Sequence, residues 1–235
     1  MTKSLFLSAI GKFALGVVLI GALLAIFAQA KVSSAYSKWS GVNSRGGMTG
    51  AEMARVILDG NGCRDVRIEQ VAGKLTDHFD PQDGVLRLSR EVYHSSSIAA
   101  IGVAAHEAGH AIQDAQGYVP MNIRANLVPL ANIGSQAAMP IFLLGLLMSW
   151  EPVLKIGIAC FLFAVLFYLV TLPVELNASS RAVAVLSDGY MAEDELKGVK
   201  AVLSAAALTY VASAVQAVLQ LLRLLLIANS RRRRD

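Results

Sequence analysis

Four long apolar segments constrain the fold of this chain more than any other feature of its sequence. They cover residues 13–30, 125–150, 156–174 and 201–229, and the first three contain no charged side chain. A helix that crosses a bilayer needs about 20 mostly apolar residues. Only 16% of the residues are charged, whereas soluble domains average about 25%. The sequence therefore predicts an α-helical integral membrane protein with about four spans.

Two of the later segments contain residues that an ordinary apolar helix lacks. Pro129 and Pro140 interrupt the second segment, and proline weakens a helix interior. Arg223 lies within the fourth, where its long side chain can reach the membrane surface or face a neighbouring helix. The second span is therefore the one whose regular helical structure the sequence supports least.

The first segment has two interpretations. Lys3 and Lys12 precede an apolar core of signal-peptide length, and Ala28–Ala30 (AQA) resembles a cleavage site for a signal peptidase. Residues 5–30 together are long for a signal peptide, which favours an uncleaved anchor. Both interpretations place residues 31–124 across the membrane from the N-terminus.

The charges are distributed unevenly along the chain. Residues 31–124 hold ten basic and ten acidic residues, so the net charge of +4 comes from the remainder, which includes Arg231–Arg234. This basic run directly follows the last apolar segment, where it is typical of a cytoplasmic stop signal rather than of nucleic-acid binding. With four spans, the polar region is then extracytoplasmic. Basic residues near the opposite membrane ends make the charge bias small.

The two cysteines exclude a disulfide framework. Cys63 lies in the polar region and Cys160 within the third apolar segment. A zinc site built on thiolates would need clustered cysteines, so that kind of site is excluded as well.

Residues 31–124 are expected to form a small α+β unit that contains two helices. Thr49 and Glu52 have the spacing of a capping box at the start of the first helix, and a Gly-Asn-Gly run at 60–62 ends it. Residues 95–117 contain a serine cap, many good helix formers and a terminal glycine. They predict a second helix of about five turns.

Two strands are predicted between these helices. Residues 65–71 and 85–89 alternate between apolar and polar side chains. The second strand turns Arg87 outward and is followed by Arg90, so we expect it at the edge of the sheet. Residues 76–84 are dense in turn-forming types and are predicted to form a turn.

The second helix carries the residues with the most specific chemistry. His106 and His110 are four apart, on one helical face, and can present two imidazole nitrogens to one tetrahedral ion. Glu107 lies beside them, where its carboxylate can take a proton from a zinc-activated water. If they were ordinary histidines, they would be buried among alanines, where an unpaired polar ring costs about 1–3 kcal/mol. The H-E-x-x-H pattern therefore favours a hydrolytic zinc site.

A zinc site of this kind needs a third protein ligand. The remaining candidates are His78 and His94 before the helix and, after it, Asp114, Glu151, Glu175, Asp188, Glu193 and Glu195. If the chain crosses the membrane twice between them, Glu151 lies on the wrong side and Glu175 on the right one. Glu175 also ends an apolar span, where ionisable side chains are rare and usually have a function. The alternative is an interfacial glutamate that only ends the span. Glu193 and Glu195 are expected in the solvated first turn of the last helix.

Five segments in order carry a resemblance to a known family. They are MTGAEMARVILDGNG, KLTDHFDP, VLRLS, VYHSSSIAAIGVAAHEAGHAIQ and LPVELNASSRAVAVL. Together they resemble the YugP-type neutral zinc metallopeptidases of bacterial membranes, from Tyr36 to the last apolar segment. The resemblance implies a membrane-embedded peptidase with one zinc ion per chain. It implies His106, His110 and Glu175 as ligands and Glu107 as catalytic base.

A more distant likeness links the chain to the HtpX and prenyl-protein protease group of gluzincins. The later motif of that group reads E-x-x-A-D, whereas the corresponding stretch here runs from Glu175 to Ser179 as ELNAS. The aspartate that ends that motif is therefore missing. Asn177 and Ser179 are candidates to orient a ligand imidazole in its place.

Substrate contacts are predicted from the same likeness. In zincin-like sites an edge strand before the metal helix binds the substrate backbone by strand addition, which here would use Val85, Leu86, Arg87 and Leu88. Four side chains could stabilise the oxyanion, and each could equally be a turn, cap or surface residue: His78, His94, Arg181 and Tyr190.

The chain is expected to be organised in five regions. These are a membrane anchor at 1–30, a zincin-like α+β domain at 31–124, two transmembrane helices at 125–174, a third-ligand connector at 175–200, and a last transmembrane helix with a basic tail at 201–235.

The predicted function is a membrane-bound zinc endopeptidase that hydrolyses membrane-proximal polypeptides. Its expected location is the bacterial cell (inner) membrane, with an extracytoplasmic site, and its partners are a polypeptide substrate and the bilayer, without nucleic acid. The alternative is a catalytically silent membrane scaffold or chaperone stabilised by zinc. Structural zinc sites usually have four closed protein ligands, and Glu107 would have no role in one. A transporter finds little support, because the spans show no paired intramembrane charges beyond Lys155 and Arg223.

Overall fold

A computed structural model describes the backbone of residues 2–232 and the side chains of Lys12 and of residues 15–230. Along this range the helices and strands follow in the order α1 (Thr2–Ser40), α2 (Gly50–Gly60), β1 (Arg67–Val71), β2 (His78–Asp80), β3 (Val85–Ser89), α3 (Arg90–Tyr93), α4 (Ile98–Ala115), α5 (Val119–Leu147), α6 (Glu151–Ser187) and α7 (Glu193–Arg232). The protein is therefore mostly helical, with one small sheet.

Four helices in the described range are long and apolar enough to cross a membrane. They are Leu15–Ser40 within α1, Val119–Leu147, Glu151–Ser187, and Glu193–Ser230 within α7. The prediction of four long apolar helices is thus confirmed. Pro129 and Pro140 lie inside α5, which continues through both positions.

The first of two compact units combines Met1–Phe27, Ile123–Leu172 and Thr209–Asp235. Glycines allow its helices to approach closely. A Cβ atom built on Gly134 would lie 2.5 Å from the carbonyl oxygen of Cys160, on the neighbouring helix. Such small-residue contacts are the usual way in which apolar helices pack when burial of apolar surface cannot drive their association.

The second unit combines Ala28–Asn122 and Pro173–Leu208. Its central element is α4, because 13 of the 18 residues of this helix are buried. Helices α2 and α3 and the sheet pack against α4. The α4 helix begins where Ser97 Oγ accepts a hydrogen bond from the backbone N–H of Ala100, and Gly117, with φ 62°, follows its end. The predicted helix over residues 95–117 is confirmed.

The start and end of α2 also follow the sequence prediction. Thr49 and Glu52 form the capping box, in which each side chain bonds to the backbone N–H of the other residue. The helix ends at Gly60 with Asn61 as its C-cap. These signals are local, so the sequence alone identifies them.

Two predictions about the sheet are wrong. The strand order is β1–β3–β2, so Val85–Ser89 is the central strand and not an edge. It pairs in parallel with Arg67–Val71 and antiparallel with His78–Asp80. This last strand lies in the stretch predicted as turn only. The edge position is predicted because an arginine lies at the centre of β3. The guanidinium of Arg87 is instead paired with the carboxylates of Asp80 and Asp83, so a central strand can carry it.

The expectation of a solvated start of α7 is met by Glu193, which is exposed, but is wrong for Glu195. Glu193, Asp194 and Glu195 do form its first turn, but Glu195 is only 5% exposed. Its carboxylate accepts hydrogen bonds from the backbone N–H groups of Arg45 and Ala192. It therefore caps its own helix and anchors the loop before α2.

Candidate metal centre

Three potential metal ligands converge between α4 and α6. The ligand atoms of His106, His110 and Glu175 all lie within 4.8 Å of one another. Glu175 Oε2 is 3.2 Å from His106 Nε2 and 3.5 Å from His110 Nε2. The histidines belong to the first sequence segment of the second unit and Glu175 to its second segment, so the fold assembles the cluster.

The two distances from Glu175 are close to the spacing of ligand atoms in a tetrahedral zinc site. Zinc bonds to imidazole nitrogen and carboxylate oxygen at about 2.0–2.2 Å, which puts neighbouring ligand atoms of a tetrahedron roughly 3.3–3.6 Å apart. One distance to Glu175, 3.5 Å, falls in this range, and the other, 3.2 Å, lies just below it. Glu175 is 2% exposed and His110 is 8% exposed, and a buried carboxylate facing two imidazoles needs a compensating charge. The residues present therefore fit zinc.

Close packing of α4 on α6 makes this convergence possible. A Cβ atom on Gly109 would lie 2.8 Å from the backbone oxygen of Ala178. Gly109 stands between the two histidines of α4, and Ala178 follows Glu175 by almost one turn of α6. The alanines beside the histidines are almost completely buried, so the small residues of this helix provide room for the neighbouring helix.

The outward nitrogens of both imidazoles have hydrogen-bond partners. His106 Nδ1 lies 3.1 Å from Ser179 Oγ, and His110 Nδ1 lies 2.9 Å from Gln113 Oε1. Such partners orient the ring and direct Nε2 to the centre. Ser179 thus contacts a ligand imidazole, as the sequence suggested. Asn177 contacts Gln113, at 2.9 Å, instead of an imidazole.

Gln113 is the site residue that the sequence analysis missed. Its side chain is completely buried, at 0% exposure, and its amide nitrogen donates to the backbone oxygen of Val174 at 2.9 Å. One signal could have revealed it. Gln113 follows His110 by three residues, which puts both on one helical face, and apart from these two the buried residues of the helix are apolar.

Glu107 is half-buried beside the ligands. Burial raises the pKa of Glu107, and the nearby carboxylates of Glu175 and Asp77 act in the same direction, against the opposing effect of His106 and His110. The carboxylate of Asp77 is itself held by the backbone N–H of Ser89, at 2.7 Å. A carboxylate with a raised pKa is a stronger proton acceptor when it is ionised, as a general base requires.

The predicted oxyanion donors have other partners. Arg181 donates to Asn177 Oδ1 at 2.7 Å and to Gln116 Oε1 at 2.6 Å. His94 Nε2 lies 2.7 Å from Gln70 Oε1, and His78 Nδ1 lies 2.7 Å from the backbone oxygen of Thr76. Tyr190 packs against the core of its unit. Each of the four side chains thus has a structural contact, and its oxyanion role stays a prediction.

The predicted substrate strand has no free edge for strand addition. Val85, Leu86 and Leu88 are 0% exposed, and the strand pairs on both sides. Arg87 Nη1 bonds to Asp80 Oδ2 at 2.7 Å. The role assigned to these four residues depended on the edge position, and the central position removes its basis.

Comparison with known proteins agrees with the geometry of the site. A family model described as "Putative neutral zinc metallopeptidase" matches residues 14–229. The "Putative membrane protease YugP" of Bacillus subtilis (strain 168) is 48% identical over 205 residues, which cover 87% of this chain and 91% of that protein. No solved structure matches the chain significantly. The resemblance seen in its motifs is thereby confirmed, and this chain belongs to the family of YugP-type neutral zinc metallopeptidases.

Proposed function

We propose that the protein is a membrane-bound endopeptidase of the gluzincin type that uses one zinc ion per chain. His106, His110 and Glu175 would hold the ion, and Glu107 would act as the catalytic base. One observation carries the proposal, namely the approach of Glu175 Oε2 to both imidazole Nε2 atoms at 3.2 and 3.5 Å. Three ligands leave the fourth tetrahedral position for chemistry, whereas a structural site closes it.

The residues of the chain suggest how the hydrolysis proceeds. When bound, zinc supplies Lewis-acid activation of a water molecule and of the scissile carbonyl. Glu107 takes a proton from the attacking water while the water oxygen bonds to the carbonyl carbon. It returns this proton to the amine nitrogen when the C–N bond breaks. Ser179 and Gln113 hold the two imidazoles in place meanwhile.

The second unit would be the zincin-like part of the enzyme. Its α4 carries the H-E-x-x-H residues, and a three-stranded sheet packs beside that helix. In this proposal the substrate is a polypeptide near the membrane.

The long helices support insertion into a membrane. Large apolar side chains on them face outward, for example Leu23 at 65%, Ile133 at 69% and Leu147 at 82% exposure. Lipid would cover these side chains. Soluble proteins rarely expose so large an apolar surface to water. We place the protein in the bacterial cell (inner) membrane as a multi-pass protein. The Arg231–Arg234 run supports a cytoplasmic C-terminus and an extracytoplasmic active site.

Zinc content tests the site directly. Detergent-purified wild type should contain one zinc ion per chain by elemental analysis, and His110→Ala and Glu175→Ala should each lose most of it. Zinc retained in Glu175→Ala but lost in His110→Ala would reject Glu175 as a ligand. Absence of zinc from the wild type would reject the proposal that the protein is a zinc enzyme. A wild type that binds zinc but cleaves no member of a quenched-fluorescence peptide library would favour the silent scaffold.

A further inference from the structure

We infer that Gln113 is a positioning residue of the metal centre that fixes the tautomer of His110 and links this histidine to the helix that supplies Glu175. The inference rests on the proposed function, because it concerns the same metal site. Its basis is a chain of hydrogen bonds in which each donor and acceptor can be assigned.

The orientation of the Gln113 amide follows from its two partners on α6. The backbone oxygen of Val174 can only accept a hydrogen bond, so the side-chain atom 2.9 Å from it must be the nitrogen of Gln113. The same nitrogen lies 2.9 Å from Asn177 Oδ1. That atom is an oxygen, because Arg181 Nε donates to it at 2.7 Å. Two independent contacts therefore assign the amide.

The orientation of the amide determines the protonation of His110. The oxygen of Gln113 faces His110 Nδ1 at 2.9 Å, so Nδ1 must carry the hydrogen. In a neutral imidazole the other nitrogen then has a free lone pair. That nitrogen, Nε2, is the one that faces Glu175. Gln113 thus selects the tautomer that can bind a metal through Nε2.

Gln113 also connects the two helices that supply the ligands. It lies on α4 with His110, and its nitrogen bonds to Val174, the residue before Glu175 on α6. A shift of either helix would therefore break the contact that orients His110. A carboxylate at this position could accept from His110, but it would face the oxygens of Val174 and Asn177 with further acceptors. The buried site therefore needs an amide at this position.

A matched pair of variants tests the inference through zinc affinity. Gln113→Met keeps the size of the side chain and removes both hydrogen-bonding ends, and it should weaken zinc binding by about 10- to 100-fold. Gln116→Met makes the same change at the C-cap of that helix, at a side chain that bonds Arg181 and reaches neither histidine. It should stay close to wild type. Competition of each purified protein with a zinc chelator measures the dissociation constants.

Histidine NMR supplies a readout that a loss of packing would not produce. The chain has only four histidines, so ¹⁵N-histidine labelling gives few ring signals. In the zinc-loaded wild type we expect His110 as the Nδ1-protonated tautomer. In Gln113→Met its Nδ1 signal should move, whereas His106, held by Ser179, should not move. Unchanged His110 signals together with wild-type zinc affinity would overturn the inference.

Asn177, which accepts the hydrogen bond from Gln113, allows a second test if Gln113→Met fails to fold. Asn177→Asp keeps an oxygen acceptor for both Gln113 and Arg181, whereas Asn177→Leu removes it. We expect weaker zinc binding only in the leucine variant, and equal affinities would contradict the inference. A wild type that binds no zinc would instead reject the proposed function, so the two failures are distinguishable.

Discussion

Gly109 of α4 lies directly against the backbone oxygen of Ala178 of α6, where a Cβ atom would come within 2.8 Å. This contact joins the helix that carries His106 and His110 to the helix that carries Glu175. The backbone of α6 cannot move aside as a flexible side chain would. The separation of the two helices, and with it the ligand geometry, therefore depends on the absence of a side chain at position 109.

Gly109→Ala should force the two helices apart. We expect a destabilisation of about 1–3 kcal/mol, as for an overpacked core, and a marked loss of zinc. Gly102→Ala is the control on the same helix, because its Cβ would meet a side-chain atom of Val199 at 3.3 Å, which can adjust. Thermal unfolding and zinc analysis compare the two. Equal zinc content in both variants would contradict this account.

Glu107→Gln should remove the base and keep the metal. The amide is nearly the same size as the carboxylate but cannot take up a proton, so we expect the peptidase rate to fall by about 10²- to 10⁴-fold. Zinc content should stay at the wild-type value, since Glu107 is not one of the converging ligands. Cleavage of a fluorogenic peptide beside elemental analysis checks both halves. Zinc loss in this variant would mean that Glu107 binds the ion.

Ser179→Ala should weaken the site through His106. The variant loses the contact between Ser179 Oγ and His106 Nδ1, and we expect zinc affinity to fall by about 10-fold. Ser180→Ala is the neighbouring control, because Ser180 Oγ bonds only to the backbone of its own helix, at Leu176. Chelator competition distinguishes them. Similar affinities for both variants would exclude an orienting role for Ser179.

The capping box of α2 should make stability depend on pH. The backbone N–H of Thr49 donates to Glu52, which holds the pKa of Glu52 below its usual 4.5. Because the folded pKa is lower than the unfolded one, the contribution is present above the usual pKa and is lost as pH falls through the folded value. Glu52→Gln should thus lower the unfolding temperature at neutral pH.

The effect of Glu52→Gln should vanish in acid, where wild type and variant both carry a neutral side chain. Thr49→Ala should cost about 1 kcal/mol for the lost cap, whereas Thr49→Ser should be tolerated because it keeps the hydroxyl. Thermal unfolding in detergent at neutral and acid pH measures all four proteins. A Glu52→Gln difference that is equal at both pH values would contradict the electrostatic explanation.

The corrections to the sequence predictions share one physical cause. Alternation along residues 85–89 correctly predicts a strand, but its place in the sheet depends on which strands pair with it. The central position of Val85–Ser89 follows from the pairing with Arg67–Val71 and His78–Asp80. Likewise, the acidic first turn of α7 is visible in the sequence, whereas the burial of Glu195 depends on Arg45, 150 residues away.

The features that depend on neighbouring residues follow from the sequence alone. These are the four long apolar helices, the cap of α2, and the helix that puts His106 and His110 on one face. The features that join distant residues depend on the tertiary structure. It brings Glu175 to His106 across 69 positions and Gln113 to Val174 across 61. Hydropathy and helical periodicity act over a few turns, whereas a metal centre depends on packing between helices, which no local pattern encodes.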